Sequence, residues 1–534
     1  MLINLNRRRL LKQSIALAAV VQSDFLLRNA WAADPEYVIA ETSSGKVRGV
    51  NIDGVNVFKG IPYGDTTTGK NRFMPPKPPV KWTGVRAALE FGHTAPQTDV
   101  RRPGTPEHGE DCLVLNVWTP QLTAGKRPVM VYFHGGGFIH GSPSTPAYDG
   151  QNLAHNHDVV LVTTNHRLNL FGSTYLAAAA GPDFADSGAV GMMDIVASLR
   201  WVKENIERFG GDPNLVTIFG HSGGGRKVAT AMAMPSAKGL YQRAIIESGA
   251  LLRLTTKEDA IGQTNALLKE LGIDRSKARE LQNVSVEQLL AANDAVNKNI
   301  KLGEAGESLN SPVVDGHVIP RHPWDPVAPE YSANIPLMIG SARTEETLFD
   351  RPTAEKMAMD EAGLRERVKA RLGVDPDPVI AAFKESYPNN SPWDTYILIA
   401  SNDPRGVYTE EMGKRKVQQG AAPAWMYRVD WETPEGGGHM RSPHGVELPF
   451  VFNNVKTSGP LISKMPEAYV MEDKMSTTWV TFARTGNPSN SKIPAWLVYS
   501  VLKRETMLFN NECRVVNDPQ HAARLAMEKV LKLS

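Results

Sequence analysis

The sequence predicts an α/β fold built on a large, mostly parallel central sheet flanked by helices, with helical insertions capping one site. Three observations predict it. Compact apolar runs at residues 128–133, 158–165 and 215–219 have strand length and alternate with segments of helical spacing. A strand followed at once by a sharp turn and a helix stands at Gly220-His221-Ser222-Gly223-Gly224. No Ser/Pro-rich linker, low-complexity tract, charge block or internal repeat divides the 534 residues, so one domain is expected over residues 33–534.

Taken in order, residues 37–40, 45–49 and 55–64 are short β-type runs, frequent in glycine, that suggest an antiparallel start to the sheet. Residues 65–110 are rich in Pro, Gly and Thr and read as long loops at a site rim. Strand character returns at 110–118 and again at 128–133, which ends on His134-Gly135-Gly136-Gly137-Phe138. Residues 191–209 place Ile195, Leu199, Val202 and Ile206 on one helical face. The apolar run Leu215-Val216-Thr217-Ile218-Phe219 leads into the turn, and a helix-compatible segment follows over 226–234. Strands are expected at 241–249, 335–340 and 425–430, with helix-rich excursions over 256–303 and 352–420 and a terminal helix over 519–533. Ligands of such sheets bind at the carboxyl ends of the strands, where Ser222 and the glycine run would both emerge.

The first 32 residues read as a targeting segment. Arg7-Arg8-Arg9-Leu10-Leu11-Lys12 resembles a twin-arginine export motif, residues 15–21 are modestly apolar, and Ala30-Trp31-Ala32 fits a small-x-small cleavage site. The apolar run is too short to span a membrane. Export to the periplasm or medium is expected. Without those residues the chain carries 54 basic against 56 acidic residues, which leaves no case for a nucleic-acid partner. A hydrophobic content of 41% with 22% charged residues describes an ordinary soluble globular protein. Two cysteines, Cys112 and Cys513, supply neither a disulfide scaffold nor a zinc cluster and are expected as unconnected thiols.

In Gly220-His221-Ser222-Gly223-Gly224 the outer glycines let strand and helix crowd together while the Ser222 hydroxyl is exposed on the turn. A serine needs a histidine to accept its proton and a carboxylate to orient that histidine. Glu345 and Glu346 follow a strand on one loop, and spacing alone does not choose between them. His444 lies on a later loop, with His439 as the alternative base. The glycines after His134 leave backbone N–H groups unobstructed for an oxyanion, and Gly136, Gly137 and Gly223 are the candidate donors. No metal or organic cofactor is implied.

These segments resemble the type-B carboxylesterases, the group of α/β-hydrolases that includes cholinesterases and bacterial para-nitrobenzyl esterases. The likeness covers nearly all of residues 37–518. It rests on Phe58-Lys59-Gly60-Ile61-Pro62-Tyr63, residues 110–117, His134-Gly135-Gly136-Gly137-Phe138, Gly211-Asp212-Pro213, the serine turn, His444-Gly445-Val446-Glu447-Leu448-Pro449 and residues 482–488. The resemblance implies an α/β-hydrolase fold and a serine esterase that cleaves small ester substrates through an acyl-enzyme, with water as acyl acceptor. It makes Ser222 the nucleophile, His444 the base and Glu345, in preference to Glu346, the acid. It assigns the oxyanion to Gly136, Gly137 and Gly223.

The sequence departs from the family pattern in places. His221 stands where the family usually has Glu, and is expected buried beneath the turn rather than transferring protons. Gly223 replaces the commoner alanine. Cys112 lacks its usual disulfide mate, Ala95 occupying that region. Arg226 and Lys227, at the start of the helix, oppose its dipole and are expected to pair with carboxylates. Arg226 and Arg343 are also minor candidates for holding an acidic substrate. Three rivals stay open: a hydrolase of carbamates or activated amides, an acyltransferase, and a non-catalytic binding protein of the same fold.

Overall fold

The structure is a computed structural model and describes residues 35–98, 106–123, 125–299, 310–459, 461–462 and 464–533. The expected targeting segment, with its cleavage site at residues 30–32, lies outside them.

Among the described residues thirteen strands form one sheet: β1 (Tyr37–Thr42), β2 (Gly45–Ile52), β3 (Val55–Pro62), β4 (Val85–Ala87), β5 (Val114–Thr119), β6 (Arg127–Phe133), β7 (Val160–Thr164), β8 (Gly211–His221), β9 (Arg243–Glu247), β10 (Leu337–Ala342), β11 (Ala424–Val429), β12 (Glu505–Phe509) and β13 (Arg514–Asn517). Their order is β1-β2-β3-β5-β7-β6-β8-β9-β10-β11-β12-β13, with β4 beside β2. The run from β7 to β12 is parallel throughout, and antiparallel pairings close both ends. The antiparallel start and the parallel centre agree with the expectations above. Strands β12 and β13, and the helix Pro466–Thr485, are additions that the chain pattern did not mark.

A parallel strand covered on both faces is apolar along its whole length. In β6 alternate residues serve opposite faces. Val129, Val131 and Phe133 join one core with Ile218 and Leu199. Met130 and Tyr132 join the other with Phe219, Trp425 and Trp479. The helices Val190–Asn205 and Gly223–Ala231 contribute to the first core, and Pro466–Thr485 covers the second. The helix-rich excursions form satellite cores of their own. Lys257–Glu270 packs with Phe73 and Phe171, and Glu361–Leu372 with Pro392–Ser401 and the terminal helix His521–Val530.

The chain passes from β6 to β7 on one side, then returns to place β8 on the other. The carboxyl ends of β6 and β8 therefore flank the point where strand order reverses, the crevice position in such sheets. Just beyond β7, Arg167 is buried and grips Asp194 of the helix Val190–Asn205. Its Nε and Nη2 donate at 2.8 and 2.7 Å, its backbone N–H donates at 3.0 Å, and its Nη1 reaches the Met74 carbonyl at 2.7 Å. Asp194→Ala leaves that guanidinium buried without its anion and is expected to cost about 3–5 kcal/mol. Urea unfolding checks it, with Asp183→Ala in the exposed Arg279–Asp183 pair as the control that leaves the midpoint nearly unchanged.

Candidate active site

Ser222 joins β8 to the helix Gly223–Ala231 with φ 58° and ψ −121°, a conformation that side chains other than glycine rarely adopt. The strain is held from both sides. The Ser222 N–H donates to the Glu247 carbonyl at 2.8 Å, and the Ser222 carbonyl accepts from Arg226 N–H at 3.1 Å. At Gly224 a Cβ would lie 1.9 Å from the Phe133 carbonyl oxygen, so only glycine lets the helix start press against the end of β6.

Glu345 opens the short turn Glu345–Leu348 beyond β10 and is fully buried. Its Oε1 accepts from the Ala342 N–H at 2.8 Å, and its Oε2 meets His444 Nδ1 in a short hydrogen bond. The ring that Glu345 meets is His444, not His439. Glu346 turns away to Arg371, at 3.0 Å. The His444 ring is also buried, 4.4 Å from the ring of His221 and 5.1 Å from that of Phe349. His221, Ser222 and His444 are thereby gathered at one place, with Glu345 behind.

Burial pushes the Glu345 carboxyl up, but His444, Arg405 and Ser248 outweigh it and hold it down to about 2. Burial pushes the His444 imidazole below its ordinary value, and the cations Arg405 and Arg226 add to this against the pull of Glu345. The resting pair is a carboxylate beside a neutral imidazole, the form a general base requires. Arg405 Nη1 stands 3.5 Å from Glu345 Oε2.

Gly136 and Gly137 have φ of +93° and +63°. Among the described residues the amides of Gly136, Gly137 and Gly223 donate to no protein acceptor. A Cβ on Gly223 would fall 2.2 Å from the Gly137 nitrogen, so the glycine here fixes how closely the loop approaches the turn. This departure from alanine has a consequence that the sequence did not show.

His221 is buried beneath the turn, as expected, with Nε2 3.6 Å from Glu447 Oε1. Glu447 also accepts from the Ser248 hydroxyl at 3.1 Å, and Glu247 accepts from Trp479 Nε1. Burial raises both carboxyls, Glu447 well above the usual range and Glu247 to about 8, while burial holds His221 well below its ordinary value. Of these three buried carboxyls, burial favours the protonated form of Glu247 and Glu447, and Glu345 is held ionised by its partners.

The expected pairing of Lys227 with a carboxylate is corrected. Lys227 is 1% exposed, and its Nζ donates to the His134 carbonyl at 2.9 Å. Its helix face is turned inward beneath the glycine loop, where no acidic side chain of the described residues pairs with it. Arg343 is engaged by Glu432. Both cysteines are free and buried.

A serine held in a strained turn after a parallel strand, beside a residue whose ring packs on a buried Glu–His pair, fits an ester-cleaving enzyme. The sequence profile described as the carboxylesterase family matches residues 36–527. The chain belongs to the carboxylesterase family. It is 35% identical to a para-nitrobenzyl esterase of Bacillus subtilis (strain 168), over 91% of this chain and 97% of that protein. It is 32% identical to a phenmedipham hydrolase of Pseudarthrobacter oxydans, over 86% and 92%. The crystal structure of a Geobacillus stearothermophilus carboxylesterase superposes with a TM-score of 0.80 at 36% identity, covering 91% of this chain and 99% of that one. The protein is a serine carboxylesterase, a hydrolase of carboxylic esters on an α/β-hydrolase fold. No helix among the described residues is long and apolar enough to cross a membrane.

Sequence reasoning missed Arg405, Phe349 and Glu247 of this carboxylesterase. Arg405 comes from the turn Asn402–Gly406, whose residues carry no pattern tying them to Glu345. Removing its charge eases protonation of His444. Arg405→Gln is expected to raise the acid-limb pKa of kcat/KM, because one of the cations that hold the His444 imidazole down is removed. Rate profiles between pH 4 and 8 at low salt check it, and the difference should narrow at high salt.

Proposed function

We propose that Ser222 is the nucleophile of this carboxylesterase, His444 its base and Glu345 the carboxylate that orients the imidazole. His444 Nε2 takes the Ser222 proton as Oγ bonds to the ester carbonyl carbon. The carbonyl oxygen becomes an oxyanion facing the amides of Gly136, Gly137 and Gly223. The carbon–oxygen bond to the alcohol then breaks, and the alcohol leaves with the proton from His444. Water repeats the cycle on the acyl-enzyme and returns free Ser222 and the carboxylic acid. Glu345 stays ionised and stabilises the imidazolium. The observation that carries this reading is the buried Glu345–His444 hydrogen bond packed against the residue next to the strained serine.

Ser222→Ala is expected to abolish turnover of para-nitrobenzyl and short-chain nitrophenyl esters, by about 10⁴-fold or more in kcat. The wild type is expected to release a stoichiometric burst of nitrophenol. Full turnover by a folded Ser222→Ala protein would end the reading.

We also read residues 1–32 as a twin-arginine-type signal that takes a single domain, residues 33–534, to the periplasm or medium. The arginine cluster and the Ala30-Trp31-Ala32 site support it. N-terminal sequencing of protein recovered from the native host should find Ala33 first. An intact leader on cytoplasmic protein would overturn it.

A further inference from the structure

Lys227 is a buried amine that, among the described residues, has no counter-ion. It lies five residues past Ser222 on the helix Gly223–Ala231, and its one hydrogen bond goes to the His134 carbonyl at the root of the glycine loop. The groups that face it are neutral or positive. From the strand end and its loop come His134, with Phe138 5.9 Å from Nζ. From the segment after β7 comes His166, whose ring stacks on His134 at 4.6 Å. Burial and Lys227 hold both imidazoles well below their ordinary value, and His140 bears further on His134. Arg226 precedes Lys227 on its own helix. Among the described residues no carboxylate forms an ion pair with Lys227.

Burying an ammonium among uncharged groups is unfavourable, and one neutral carbonyl does not offset it. An apolar side chain would fill the same space without that cost. What makes a cation useful there is a negative charge that exists only during the reaction. We propose that Lys227 is a positioning residue of the oxyanion cradle: it fixes the root of the glycine loop through His134 and supplies, from behind the loop, positive charge that the tetrahedral oxyanion uses as its counter-ion. The inference rests on Ser222 and the glycine amides acting as proposed above. Its chemistry is differential: the charge is ill-matched to the resting site and matched to the transition state.

Burial, reinforced by Arg226, pulls the Lys227 ammonium down to about 7. The sign follows. Below that pH Lys227 is charged and supports the oxyanion, and as pH rises the charge and the support are lost. The wild-type kcat for nitrophenyl acetate should fall along an alkaline limb between pH 7 and 9.5. Lys227→Met should lower kcat at pH 6–7 by about tenfold or more while KM changes by less than about threefold, and should remove the limb. A lowered kcat with the alkaline limb intact would make Lys227 a packing residue and overturn the proposal, as would an unchanged kcat. Where Lys227→Met does not fold, the wild type decides: inhibition by an aryl trifluoromethyl ketone, which forms a hemiketal oxyanion on serine, should weaken steadily above pH 7. Affinity independent of pH from 6 to 9 would overturn it. Ser222→Ala run alongside separates the two readings, because an active Ser222→Ala protein removes the nucleophile assignment whatever Lys227 does.

Discussion

The site depends on one contact between backbones: the end of β6 against the turn after β8. Strands in a parallel sheet lie close, and the turn must fold its helix back over a neighbouring carbonyl. The Phe133 oxygen occupies the space a Cβ on Gly224 would need, and the Gly137 nitrogen the space of one on Gly223. With side chains excluded at both points, the glycine loop and the serine turn pack main chain to main chain. Among the described residues three amides then stay free of protein acceptors beside a serine held at positive φ. That crowding explains why glycine recurs in two stretches nearly ninety residues apart.

Around this contact the side chains keep a single charge in play. Four ionisable groups lie buried beneath or beside His444, and burial drives most of them neutral: Glu247 and Glu447 protonated, His221 deprotonated. Glu345 escapes because it receives the Ala342 N–H and His444 and stands near Arg405. The imidazole thus meets one carboxylate in a medium of low polarity, where a lone charge acts strongly on its neighbour. His221 in place of a carboxylate contributes to this by adding no second negative charge next to His444.

What could be read from the chain follows from which features are local. The strand runs, the serine turn and the glycine run were legible because backbone geometry imposes residue types at fixed spacing. β12 and β13 were not marked, being short and lying beyond a long irregular stretch. Spacing alone does not separate Glu345 from Glu346, because their difference is not local; the family resemblance chooses Glu345, and the path of the chain sends it to His444 and Glu346 to Arg371. Arg405 and Glu247 were invisible for the same reason.

Lys227 shows where reading charge from sequence fails. Beside Arg226 at a helix start it looks like a solvated or ion-paired residue, since lysine is rarely buried fully. Its position is set instead by the glycines before it. Gly223 and Gly224 draw the first helical turn so close to the end of β6 that this helix face has no exit to solvent, and the side chain ends on the His134 carbonyl. The same close approach that leaves the amides of Gly136, Gly137 and Gly223 without protein acceptors among the described residues therefore fixes the lysine behind them. In this fold the glycines at the turn and the cation beneath the loop are parts of one packing solution.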